Sequence, residues 1–82
     1  MKPYALIIPA HREFARQLRA ARLHAGLTQG RLAELAAMSR HGYRKIERYA
    51  GGVQLSTIVL LANALGCEIA DFFPRTKQNP WS

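Results

Sequence analysis

At 82 residues the chain has room for one domain, near the size below which folding needs staples. Its 49% apolar content excludes a disordered composition and suffices for a small core. Twelve Lys and Arg against five Asp and Glu leave a net charge of +7, which points to a polyanionic partner, nucleic acid before membrane, or more plainly to a generally basic solvated surface.

Residues 1–10 read as an arm. The segment YALII has strand-like composition and lies between Pro3 and Pro9, which limit helix on both sides. A lone strand needs a partner and no second strand is evident. Two outcomes stand side by side: a β-arm pairing with the same segment of a second subunit, or an apolar arm laid over its own core.

From about His11 the period turns helical, with Phe14, Leu18 and Ala21 on one face and Arg12, Arg16 and Arg19 on another. Gly26 is a plausible stop. Thr28 is a good N-cap for a short second helix, Gln29 to Ala36, carrying Leu32, Ala33 and Ala36 inward. Ser39 can cap a third helix that Gly51-Gly52 ends. A fourth spans Leu55 to Leu65 with Leu55, Ile58, Leu61, Ala62 and Leu65 inward, closed by Gly66, and CEIADFF makes a short last helix before Pro74. Residues 74–82 form a polar, proline-bounded tail. The expected fold is all-α, a bundle of about five short helices over residues 11–73.

The stretch MSRHGYRKIERYAGG is the most informative one. At about 100° per residue, Arg40, His41, Arg44, Lys45 and Arg48 fall within an arc of roughly 140°. Gly42, Tyr43, Ile46, Tyr49 and Ala50 fill the opposite side, and Glu47 stands at the border. A loop has no reason to sort residues this way, so the stretch is a helix. Its basic face suits DNA phosphates and guanine edges, with a merely solvated basic face as the alternative.

Two short helices joined by a tight turn, the second of them basic, outline a helix-turn-helix. The run LTQGRLAELAAMSRHGYRKIERYAGG resembles the phage repressor and Cro-like (Xre-type) DNA-binding family. That family shows Leu-Thr/Ser-Gln, then Leu-Ala, then a Gly-Val-Ser turn, then Ile-x-x-Ile-Glu-Arg-Gly. Gln29, Leu32, Ala33, Ser39, Ile46, Glu47 and Arg48 match in register, and the likeness continues through Leu55, Thr57, the Ala62-to-Gly66 run and the DFF close. It implies a lambda-repressor-like bundle binding double-stranded DNA as a homodimer. Gln29 would bond a phosphate, and Arg40, His41, Arg44 and Lys45 would face bases or flanking phosphates beside Ser39 and Arg48. Arg22 would pair with Glu47 and fix helix one to helix three. The alternative is that Glu47 bonds a neighbour on its own helix such as Arg44. Dimer contacts are expected at Phe72, Phe73 and, in the YALII arm, Ile7.

Departures from the family pattern raise questions of their own. Ala37 replaces the turn glycine, so either it takes an unfavourable φ at about 1 kcal/mol or the turn differs. Gly42 lies inside the recognition helix, where it can make room for the large Tyr43. Tyr49 stands where a glycine is common.

Other chemistries find little support. Cys67 is the single cysteine, so no disulfide or Cys-x-x-Cys zinc spacing can be written, and it reads as a small core residue. His11, His24 and His41 lack metal-ligand spacing, and no phosphate-binding glycine loop occurs. No cofactor, no metal and no catalytic residue is expected. The apolar run Ile58–Ala62 is far too short to cross a bilayer, and the start is too short for a signal peptide. The expectation is a cytoplasmic, nucleoid-associated regulator, most simply a repressor on a pseudo-palindromic operator. The resemblance also admits an antitoxin that covers a toxin protein, or a controller of a restriction–modification operon. A protein or RNA interaction module is the reading from another class.

Overall fold

Apolar residues at helical spacing, interrupted by caps and glycines, divide the chain into short helices too small to stand alone. A computed structural model describes residues 4–49 and 52–73, with side chains described from Arg12 onward. Four α-helices follow in order: α1 (Tyr4–His24), α2 (Gln29–Leu35), α3 (Arg40–Arg48) and α4 (Leu55–Leu65). A 3-10 turn over Ile69–Phe72 ends the described chain.

The β-arm is corrected. Residues 4–10 continue α1, a helix of 21 residues. Pro9 lacks the N–H that would bond the carbonyl of Ala5, yet that loss falls near the helix start, where few donors have partners anyway. A helix satisfies its own backbone, whereas a strand without a neighbour does not. The tail 74–82 lies outside the described residues.

α1 ends at a left-handed Gly26, φ 73°, and α4 at a left-handed Gly66, φ 69°. The chain then tightens into the 3-10 turn, the short last helix that was expected. A reciprocal capping box supports it: the Glu68 side chain caps the backbone of Asp71, and the Asp71 carboxylate accepts from the Glu68 N–H at 3.0 Å.

The core gathers Phe14, Ala15 and Leu18 from α1, Leu32 and Ala33 from α2, with Ala36 at its C-cap, Tyr43 from α3, Ile58, Leu61 and Ala62 from α4, and Phe72. Each large side chain among them contributes roughly 1.5–3 kcal/mol by burial. Phe72 meets Phe14 edge-on, ring centroids 5.3 Å apart, and Phe73 stacks on Phe14 at 5.4 Å. Phe72 and Phe73 are thereby clasped to α1. α2 packs on α3 and α4, and α1 on α3, which leaves the outer face of α3 uncovered. Leu55, expected inward, is exposed although it shares a helical face with Ile58 and Ala62, because it is the first residue of α4. Tyr49 is exposed too, since it lies past the end of α3 in extended backbone.

Candidate nucleic-acid interface

The geometry of α2 and α3 starts at their caps. The Thr28 hydroxyl accepts from the Arg31 N–H at 3.0 Å, and the Ser39 hydroxyl from the Gly42 N–H at 3.0 Å. Between the helices Ala37 adopts φ 58°, the left-handed conformation. Of the two expected outcomes, alanine takes the unfavourable φ and bears the strain there. A Cβ at Gly42 would meet the Ser39 hydroxyl at 3.0 Å, so the small residue leaves room for the cap.

Behind α3 stands a buried polar cluster around Glu47. Arg22 donates through Nε to Glu47 Oε2 at 2.6 Å and through Nη2 to Oε1 at 3.2 Å. Its third nitrogen, Nη1, donates to the Leu27 carbonyl at 2.9 Å. Gln29 Nε2 donates to Glu47 Oε1 at 3.1 Å, and the Tyr43 hydroxyl donates to Oε2. The charged side chains are 10% and 6% exposed, so water cannot replace these bonds. Burial works to raise the Glu47 carboxyl, but the bonds from Arg22, Tyr43 and Gln29 outweigh it and hold the pKa below the ordinary value. The bond to Glu47 likewise raises Arg22 against its own desolvation, and burial followed by Glu47 raises Tyr43. Among the described residues no buried side-chain nitrogen or oxygen lacks a partner. This cluster ties α1, the start of α2 and α3 into one rigid unit.

Arg40, His41, Arg44, Lys45 and Arg48 are all exposed, as is Ser39. They do not form one uniform stripe. Arg44 and Arg48 line a polar crevice with Arg19, Arg22, Gln29 and Glu47, on the α1 side. Lys45 lines an open groove with Gly42, Ile46, Tyr49, Gly52, Val53, Gln54 and Thr57, on the α4 side. Arg40 and His41 are the first two residues of α3. The arrangement offers donors and positive charge to two separated rows of anions.

Arg19 is the residue that sequence reasoning did not place in this site. It lies three residues before Arg22 in a face of basic residues on α1, and that spacing was the available signal. Gln29 has its amide nitrogen on Glu47, so the same group that would reach a phosphate also braces the cluster. The dimer expectations divide. Phe72 is 0% exposed and belongs to the core. Phe73 is 42% exposed and keeps a free surface. The Ile7 side chain lies outside the described residues. Among the described residues no group of His, Cys, Asp and Glu is placed to hold a metal, and no helix is long and apolar enough to cross a membrane.

Comparison with known proteins agrees with this geometry. Residues 13–72 match the family model described as a helix-turn-helix domain. The restriction-modification controller protein C.AhdI from Aeromonas hydrophila is 36% identical, with a TM-score of 0.71 over 74% of this chain and 92% of that one. A point mutant of the restriction-modification controller protein C.Esp1396I superposes with a TM-score of 0.70 at 24% identity, over 74% of this chain and 79% of that one, a likeness of fold. No curated protein sequence matches the chain. With its capped α2–turn–α3 unit inside the matched residues, the chain belongs to the helix-turn-helix domain family, in its phage repressor and Cro-like (Xre-type) branch.

Proposed function

We propose that the protein is a homodimeric transcriptional regulator that reads a pseudo-palindromic operator through α3. One observation carries this reading: five basic side chains stand exposed on a helix that the buried Arg22–Glu47 cluster locks along one flank. A rigid, capped, basic helix is what major-groove entry requires. Arg40, His41 and Lys45 would meet base edges, while Arg44, Arg48 and Gln29 would meet phosphates on one flank and the backbone around Gly52–Gln54 on the other. Ser39 would contribute from the turn.

A second copy would bury apolar surface that is left open. Val59 and Leu60 on α4 are exposed, as is Phe73. Two copies joined there would present two recognition helices about one DNA turn, roughly 34 Å, apart. The 36% identity to a restriction-modification controller favours the controller of such an operon over an antitoxin.

Selection of bound duplexes from a random pool tests the reading. The expected product is a pair of inverted half-sites with centres about 10 base pairs apart. Recovery of a single unpaired motif would remove the dimer, and recovery of random sequence would remove the regulator.

A further inference from the structure

Gly30 is the second residue of α2, inside the first turn of a short helix. Its φ is not positive, so the backbone does not demand glycine, and glycine is among the poorest helix formers. The space around it is what distinguishes the position. A Cβ there would lie 2.8 Å from Nη2, 2.9 Å from Nε and 3.2 Å from Cζ of Arg40. All three nearest atoms belong to one guanidinium, whose Nε–Nη2 edge is therefore turned to the space that a side chain at position 30 would fill. No ion pair among the described residues involves Arg40, and the positive end of α2 does not attract a cation. Shape, not charge, provides the place.

We propose that Gly30 is a positioning residue for sequence readout, a seat that holds the Arg40 guanidinium across the α2–α3 junction. The inference rests on the proposed reading in which Arg40 faces the DNA. Arginine reads bases through a planar fork whose orientation must be right, and a guanidinium already confined loses less freedom on binding. Any side chain at position 30 evicts it. Because the displaced atoms are the far end of a flexible side chain, eviction leaves the fold intact while moving the fork.

The test is a double-mutant cycle with Gly30→Ala and Arg40→Ala in the full chain. The probes are the duplex selected from the random pool and its single-base-pair variants. Arg40→Ala is expected to weaken binding about tenfold and to flatten the preference at one or two base pairs. Gly30→Ala should flatten the preference at those same base pairs, by about fivefold, with Tm unchanged or raised. In the Arg40→Ala background Gly30→Ala should have no effect on DNA binding. If Arg40→Ala matters and Gly30→Ala is silent, the seat is overturned and the regulator reading stands. Equal losses from Gly30→Ala in both backgrounds, or a fall in Tm accompanying them, would also overturn it by assigning the effect to α2 itself. If Arg40→Ala changes neither affinity nor preference, the assignment of Arg40 to the DNA fails and the seat fails with it.

Discussion

Glu47 is the one acid in a helix of basic residues, and its surroundings explain it. Three side chains donate to a carboxylate that solvent barely reaches. Removing it strands the buried Arg22 guanidinium, so Glu47→Ala should cost about 3–5 kcal/mol in chemical denaturation. Tyr43→Phe removes one charge-assisted bond and leaves the ion pair, so its cost should be smaller, about 1.5–3 kcal/mol. Equal costs would mean that the ion pair adds nothing beyond the hydroxyl bond. The pH dependence has a definite sign. The folded carboxyl titrates below its unfolded value, so the unfolded chain binds the proton first as pH falls. Stability from Glu47 is full above the unfolded value, about 4.3, and is lost as pH drops through the lower folded one. Acid unfolding of Glu47→Gln should lack that component. The pairing of Arg22 with Glu47 could be read only through family resemblance. Twenty-five positions separate the two residues, and the helical wheel alone left Arg44 eligible.

Caps and turns were legible at the scale of the element because their signals are local. Thr28 and Ser39 announce α2 and α3 by residue type, and each hydroxyl meets the third N–H of its helix. What composition could not decide was the state of residues 4–10, where strand-forming residue types compete with the propagation of an existing helix. Exposure was equally hidden at Leu55 and Tyr49, since it depends on which helices cover which faces. Two sets of substitutions probe the turn and the cap. Ala37→Gly relieves a left-handed alanine and should raise stability by about 1 kcal/mol; an unchanged Tm would show that the turn stores no strain. Gly42→Ala gains helix propensity but presses a Cβ on the Ser39 hydroxyl. Its benefit should therefore be small in the parent and reach about 1 kcal/mol in a Ser39→Ala background, where the hydroxyl is gone. Identical gains in both backgrounds would separate Gly42 from the cap.

Charge and shape act together over the whole molecule. A net charge of +7 alone draws the protein to any polyanion and selects no sequence. The fold turns that charge into geometry by setting Arg19, Arg44 and Arg48 on one flank of α3 and Lys45 on the other. Composition revealed the first property. The division into two flanks depends on how α1 and α4 pack beside α3, which no local pattern carries. In the proposed complex the Arg19, Arg44 and Arg48 flank follows one phosphate row, the backbone around Gly52–Gln54 meets the other, and salt dependence counts the contacts made. With six or so phosphates neutralised, affinity for the selected duplex should fall about 10³-fold between 50 and 200 mM salt. Arg19→Ala should make that slope shallower by about one contact per subunit while leaving the base preferences of the selected sequence unchanged, because a phosphate contact weakens all sequences alike. Should Arg19→Ala alter the preferred bases and leave the slope as it was, the α1 flank would be facing the groove floor, and the orientation proposed for α3 would have to be turned about its axis.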